Sequence, residues 1–123
     1  MKKYDDFHDG FLDGVLVEEH TVQIFLRTDR HQRFMATAQH VTALCLNDFW
    51  EGNIIFDIEV FDFNEISIED LAEAHRGSQT AEQRLLEGRK LGLLLIRINP
   101  SYGANLVMIA SSFEVAARSG NLL

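Results

Sequence analysis

The chain has 123 residues, 46% of them hydrophobic, which suits one globular domain over residues 1–123 with a genuine core. Its formal net charge of −8 argues against nucleic-acid binding, because such an interface needs basic side chains to neutralise phosphates. No apolar run approaches the ~18 residues that span a bilayer, and the N-terminal segment lacks the apolar stretch of a secretory signal. The single cysteine, Cys45, cannot form an internal disulfide, so we expect a reducing cytoplasm.

Two runs near the N-terminus predict an antiparallel hairpin. Residues 21–27 alternate between apolar and polar side chains, and residues 11–17 form a second strand in which Asp13 and Gly14 suggest a β-bulge. The short connection at 18–20 favours a hairpin. Residues 33–46 are interpreted as one long bent strand or two short strands that divide near His40. We expect these strands to continue as a meander into the next one.

The stretch 47–63 has the clearest strand pattern and contains the only tryptophan. From residue 54 to residue 60 the period of two predicts one buried face and one wetter face. The buried set is Ile54, Phe56, Ile58 and Val60, and the wetter set includes Asp57 and Glu59. For Trp50, beside the preceding turn, the pattern favours a ring that covers one end of the core. A partner-binding anchor is the alternative.

The region between residues 67 and 88 predicts one or two short helices. Ser67 and Asp70 form a capping-box pattern ahead of an apolar stripe that reaches His75. Thr80 and Gln83 repeat that pattern for a second helical piece, which we expect to end at residue 88.

The C-terminal third predicts two more strands. Residues 91–98 are almost continuously apolar, which indicates a strand covered on both faces. Residues 99–103 predict a hairpin loop, and residues 106–113 a returning strand. Residues 117–123 read as a frayed end or a short cap. The fold class is therefore mainly β, of the α+β kind: a curved antiparallel sheet or small sandwich of about six to seven strands, with a helix across one opening.

Acidic charge is concentrated in one block of this sequence. Between Phe34 and His75 there are nine acids and no lysine or arginine, whereas the rest of the chain has ten acids and eleven bases. The nine are Asp48, Glu51, Asp57, Glu59, Asp62, Glu65, Glu69, Asp70 and Glu73. The block is interpreted either as a solvated face or as a surface that attracts a basic protein partner.

Candidate binding residues come from this block. They are Asp48, Trp50, Glu51, Asp57, Glu59 and Asp62. Asp57 and Glu59 lie two residues apart on one strand face, about 6–7 Å from each other. Such a pair could act as acid and base or hold a divalent cation, although the wet side of an ordinary strand shows the same pattern.

The histidines and the cysteine give no specific motif. The five histidines show no metal-ligand spacing, so the sequence predicts no metal site and no cofactor. His8 and Asp9 invite comparison with metal-dependent hydrolases, but a polar lead-in hydrogen-bonded to a neighbouring loop is favoured. Cys45 and His40 are too far apart along a strand to act as nucleophile and base, so Cys45 is interpreted as structural. We predict no catalytic residue, and the pattern favours a binding protein over an enzyme.

Two segments carry a resemblance. His8-Asp9-Gly10 ahead of a hairpin, and Asn47-Asp48-Phe49-x-Glu51-Gly52-Asn53-Ile54-Ile55, resemble small uncharacterised bacterial proteins that include toxin-immunity-type β-rich domains. The resemblance covers about an eighth of the chain. It implies a β-rich, single-domain cytoplasmic protein with a protein-binding role, and it supplies no catalytic residues.

Three functions follow as hypotheses. The first is an acidic binding module that docks a basic protein, as an immunity-type domain would. The second is a metal-dependent or ligand-binding domain that uses Asp57 and Glu59. The third is a homo-oligomeric structural component, in its simplest form a homodimer, with residues 91–98 and 106–113 at the subunit interface.

Overall fold

A computed structural model describes residues 1–71 and 80–118. Within these ranges the chain forms nine strands, one α-helix and three single 3-10 turns. The strands are β1 (Lys2–Lys3), β2 (Phe11–Glu18), β3 (Thr21–Arg27), β4 (Arg33–Gln39), β5 (Ala43–Asn47), β6 (Asn53–Asp62), β7 (Leu94–Tyr102), β8 (Asn105–Ala110) and β9 (Ser112–Ala117). The helix α1 is Ala81–Leu91, and the 3-10 turns are Asp5–Phe7, Phe63–Glu65 and Glu69–Leu71.

All nine strands pair antiparallel in one curved sheet, which confirms the predicted fold class. The order is β5-β8-β7-β6-β2-β3-β4-β9, with β1 beside β6. The hairpin of β2 and β3 is confirmed, and so is its bulge, because the register shifts between Leu12 and Gly14. The predicted meander is right for β2, β3 and β4 but wrong beyond them. Strand β5 pairs with β8, and β6 returns to pair with β2.

Two bends let the sheet curl. The chain bends between β4 and β5 near His40, as predicted, and between β8 and β9 at Ser111, where one continuous strand had been expected. Hydrogen bonds continue across both bends, since the Ser111 N–H donates to the Gln39 carbonyl and the Thr42 N–H donates to the Ile109 carbonyl, both at 3.0 Å. The curled sheet does not close, and β5 and β9 form its edges.

The main core fills the concave side of this sheet. It combines residues from seven strands with Phe7, Val41 and Ala104. Its fully buried members with the largest side chains are Leu12, Ile24, Leu26, Ile55, Ile58, Ile96, Ile98, Leu106 and Met108.

A second apolar cluster lies on the convex side of β7 and β8. It consists of Phe63, Ile66, Leu71, Leu85, Leu95, Val107 and Ile109. The helix α1 is thus packed on an outer face of the sheet rather than across an opening, and β7 is covered on both faces, as predicted. The Arg89 side chain ties α1 down by donating to the carbonyls of Phe63 and Ile66, each at 3.0 Å.

The helix begins as predicted and ends later than predicted. Thr80 and Gln83 form a complete capping box, but α1 continues through Gly88 to Leu91, and Gly92 caps it. Gly88 is needed for packing rather than termination, because a Cβ there would lie 2.1 Å from the Phe63 ring. Of the helix expected after Ser67, the described part is the turn Glu69–Leu71, with Asp70 accepting from the Ser67 N–H at 2.8 Å. Its continuation to residue 75, and most of the expected C-terminal cap, lie outside the described residues.

No helix in the described ranges is long and apolar enough to cross a membrane.

Candidate functional site

A bulge at Phe56 sets the outer face of β6. Ile55 pairs with Pro100 and Asp57 pairs with Asn99, so Phe56 is left without an opposite residue. The bulge turns Ile55 into the core, where it is 1% exposed, and leaves Phe56 52% exposed. The prediction is therefore right for Ile58 and Val60 and wrong before them, where Ile54 and Phe56 lie on the outer face and Ile55 is buried, because one extra residue reverses the alternation.

Asp57 and Glu59 come together on this outer face, as predicted. The Asn99 side-chain amide bridges them, donating to Asp57 at 2.7 Å and to Glu59 at 2.8 Å. The Lys3 ammonium group lies 3.7 Å from Asp57 and 3.9 Å from Glu59, because β1 places Lys3 opposite Glu59. Both carboxylates have 18% of their side-chain surface exposed. The pair is thus held in place by protein groups and remains accessible from one side.

Exposed aromatic side chains lie next to this acidic pair, on the side toward the start of β6. Phe11, Ile54 and Tyr102 form one cross-strand row over β2, β6 and β7, and Phe56 follows on the same face of β6. Tyr102 is 56% exposed, and on the turn before β6 Phe49 is 44% and Trp50 62% exposed. We call this surface the open aromatic face; it comprises Phe49, Trp50, Ile54, Phe56 and Tyr102 beside Asp57 and Glu59.

Asn53 is the residue that organises this region, and sequence reasoning treated it only as part of a turn. It is 2% exposed, and its amide nitrogen donates to the carbonyls of Leu12 at 3.2 Å and Trp50 at 2.6 Å. Its amide oxygen accepts from the Trp50 N–H at 2.8 Å and the Ala104 N–H at 3.0 Å. Gly103 leaves room for that oxygen, because a Cβ there would lie 2.4 Å from it. The Gly-Asn pair before the strand signals a turn, but these partners depend on the sheet order.

The turn that Asn53 holds carries three of the predicted site residues: Asp48, Trp50 and Glu51. Trp50 is exposed, so the expectation that its ring covers the core is wrong. Between this turn and strands β2 and β3 lies an open groove of about 540 Å³, lined by Phe49, Trp50 and Glu51 on one side and by Asp13 and Arg27 on the other.

Asp62 lies at the far end of β6, about 30 Å of strand away from the turn. It caps the 3-10 turn Phe63–Glu65, and the Glu65 carboxylate accepts from the Asp62 N–H at 2.9 Å. The structure therefore places Asp62 apart from the other candidates and gives it a local structural contact. The described acids of the block thus fall into different settings. Asp62 and Asp70 form capping contacts, Asp57 and Glu59 form the pair bridged by Asn99, and Asp48 and Glu51 lie on the turn before β6.

His8 joins the N-terminal segment to the bulge. Its Nδ1 donates to the Phe56 carbonyl at 2.8 Å, and the Asp9 N–H donates to the Ile55 carbonyl at 3.0 Å. The bond to Phe56, and then the nearby Asp9 carboxylate, raise the pKa of His8 above its ordinary value. The lead-in is therefore hydrogen-bonded to its neighbour, as predicted.

Residues 1–71 and 80–118 contain no group of three or more His, Cys, Asp or Glu side chains arranged to hold a metal ion. Cys45 is half-buried on β5, where the Asn47 side chain contacts its sulfur at 3.4 Å. The open aromatic face thus offers apolar area and fixed negative charge, which suits binding.

Comparison with known proteins adds no relative. A scan of protein-family models, a search of curated proteins and a search of solved structures each found no match to this chain. The resemblance of residues 8–10 and 47–55 to immunity-type domains stays a prediction.

Proposed function

We propose that this chain is a cytoplasmic protein-binding module, of the immunity type, that docks a basic protein partner on the open aromatic face. One observation carries the proposal: exposed aromatic rings lie beside a preorganised carboxylate pair, on a part of the sheet that the helix of the described ranges leaves open.

The aromatic side chains supply the apolar part of such an interface. Contiguous exposed apolar surface is uncommon on soluble domains and marks interaction sites. Tryptophan and tyrosine are enriched among the residues that dominate binding energies, because each combines a large rigid ring with a polar group. Trp50, Phe56 and Tyr102 are all more than half exposed, on a sheet whose other convex part is covered by a helix.

The acidic side chains supply the electrostatic part. Asn99 holds Asp57 and Glu59 in position, so binding costs little reordering of the two side chains, and with the Lys3 ammonium group beside them the pair keeps one net negative charge. Asp48 and Glu51 on the neighbouring turn add two acidic side chains. A partner with clustered lysine or arginine side chains is attracted before contact, and its association slows as salt increases. Toxins with basic active sites fit this description, in line with the resemblance.

Affinity capture from the source cell's lysate tests the proposal with matched baits. The face variant is Phe56→Ser/Tyr102→Ser, which leaves Trp50 in place, and the control is Leu86→Ser, a 65% exposed apolar residue on α1. We expect a basic protein that the wild type and the control retain at low salt and the face variant loses. Capture of the same protein by the face variant at an undiminished level contradicts the proposal.

The charge contribution is tested separately with Asp57→Asn/Glu59→Gln, measured by the association rate with the captured partner. Asp62 is left unchanged, because its replacement would remove a cap. We expect a slower association rate that depends less on salt than that of the wild type. Unchanged, salt-insensitive association would refute the electrostatic part.

A second copy of the chain is the competing occupant of this face. The strands first assigned to a homodimer interface do not support it, because Leu95, Ile96, Leu106 and Ile109 are fully buried within one subunit. Light scattering on the purified chain decides the question. A homodimer that the face variant dissociates would contradict docking of a different protein.

A further inference from the structure

The groove beside Trp50 has walls of two kinds. Phe49, Trp50 and Glu51 line one side, all from the turn before β6. The opposite wall is the ion pair of Asp13 and Arg27, whose side chains come from β2 and β3.

Arg27 is fully engaged and forms a fixed wall. Its guanidinium donates to Asp13 twice, at 2.6 and 2.9 Å, and contacts His31 Nδ1 at 2.8 Å. The same group lies 4.6 Å from the centre of the Phe11 ring. Asp13 and Arg27 neutralise each other, so among the described residues that line the groove the one further charged group is the Glu51 carboxylate, and Asp48 lies on the same turn. An anion would meet this charge unfavourably, whereas a cation is attracted by the carboxylate and by the aromatic faces.

We propose that this groove binds an arginine side chain of the basic partner; the inference rests on the proposed function and names the group that the partner inserts. A guanidinium is planar, so it stacks on an aromatic ring and still donates two parallel hydrogen bonds to a carboxylate. Trp50 and Phe49 provide the rings, and Glu51 provides the carboxylate. A lysine ammonium has no plane to stack and is more strongly hydrated, so it gains less here.

Asn53 makes the site preorganised. Its four hydrogen bonds fix the backbone of Trp50 to Leu12 and Ala104, so the turn keeps its shape without a ligand. A fixed turn reduces the ordering cost of binding. Asn53 is thus a positioning residue for the groove and makes no contact with the arginine itself.

Trp50 fluorescence provides a direct test, because Trp50 is the only tryptophan of the chain. The probes are three capped tripeptides, Gly-Arg-Gly, Gly-Lys-Gly and Gly-citrulline-Gly, added to the full chain. We expect a saturable change with the arginine peptide and a dissociation constant of the order of millimolar. The lysine peptide binds several-fold more weakly, and the uncharged citrulline peptide gives no saturable change. An equal response to all three peptides, or none to the arginine peptide, overturns the inference.

Two variants locate the site. Glu51→Gln is expected to weaken binding of the arginine peptide about three- to fivefold, as for one exposed ion pair, while Glu114→Gln on β9 leaves it unchanged. Trp50→Leu is followed by amide chemical shifts of residues 51 and 52, and we expect about fivefold weaker binding. Full affinity in either groove variant overturns the assignment.

The outcome separates this inference from the proposed function. If the wild type captures a basic partner on the open aromatic face but shows no arginine binding, only the groove assignment fails. If the arginine peptide binds in the groove and no partner depends on Phe56 or Tyr102, the proposed docking face fails instead.

Discussion

The convex surface of the sheet has two apolar parts, of which one is covered by other elements and the other is exposed. Over β7 and β8, Leu95, Val107 and Ile109 point outward and are covered by α1 and residues 63–71. At the other end of β6 and β7, Phe56 and Tyr102 also point outward, and they are left exposed. Between them lies a polar band that contains Asp57, Glu59 and Asn99.

The difference teaches that the exposed rings are not a general property of this sheet. The covered part is closely fitted, because a Cβ at position 88 would lie 2.1 Å from the Phe63 ring. The open aromatic face is instead held from below, by Asn53 and by the contacts of His8. A surface that is supported but not covered is suited to a second molecule.

The largest effect is expected in the covered part. Leu95→Ala removes a side chain that is 0% exposed and leaves a cavity between sheet and helix, so we expect a loss of about 3 kcal/mol in the free energy of unfolding. Phe56→Ala, on the open part, is expected to cost less than about 1 kcal/mol. Denaturant unfolding of both variants measures the contrast. Equal losses of unfolding free energy in the two variants would mean that the covered and the exposed part contribute equally to stability.

The support beneath the open part gives the next largest effect. Asn53→Asp keeps the shape of the side chain but removes two donors and places a charge near the carbonyls of Leu12 and Trp50. We expect a loss of about 2 kcal/mol in the free energy of unfolding, together with a changed Trp50 emission. The matched control is Asn47→Asp, on an exposed residue. If both variants behave like the wild type, Asn53 is not the support proposed here.

The fit between helix and turn is tested by Gly88→Ala. Alanine ordinarily stabilises a helix interior by about 0.5–1 kcal/mol over glycine. Here the added methyl group collides with the Phe63 ring, and we expect a net destabilisation of about 1–2 kcal/mol instead. Lys90→Ala on the exposed side of α1 serves as the control, with little change. A stabilised Gly88→Ala variant would show that the contact is looser than the structure indicates.

The smallest effect concerns pH. The folded-state pKa of His8 is raised above 6.5, so its protonated form is favoured by folding. The stabilising contribution is therefore fully present below 6.5 and is lost as the pH rises through the raised value. An NMR titration of the His8 ring, compared with unfolding at about pH 5 and about pH 8, should show this loss. In His8→Gln the loss should be absent; the same loss there would assign it to another group.

Much of the fold could be predicted because it is encoded locally. The period of two located β3 and the split near His40, the continuous apolar run gave the doubly covered β7, and Thr80 with Gln83 gave the start of α1. The failures depend on distant partners. The bulge at Phe56 is set by pairing with β7, and position 88 has no room for a side chain because of a ring 25 positions earlier in the sequence.

The candidate site was only partly predictable for the same reason. Asp57 and Glu59 share a face by strand geometry alone, so their proximity was foreseen. That Asn99 bridges them depends on the register of β6 with β7. The density of acidic residues along the sequence also grouped Asp62 with the other candidates. In the structure Asp62 lies at the far end of β6 and caps a 3-10 turn. A count of acids along the sequence does not show that residues at opposite ends of a long strand lie far apart in space.

The bends at His40 and Ser111 have a consequence for how the chain folds. They bring β4 against β9, with Phe34 opposite Ala117. This part of the sheet therefore forms only when residues that are far apart in the sequence meet. Pairings of such long sequence separation are slow to form, and domains dominated by them fold in about milliseconds to seconds. The hairpin of β2 and β3 needs no such encounter. We therefore expect the β2–β3 hairpin to form early in folding and the pairing of β4 with β9 to form late.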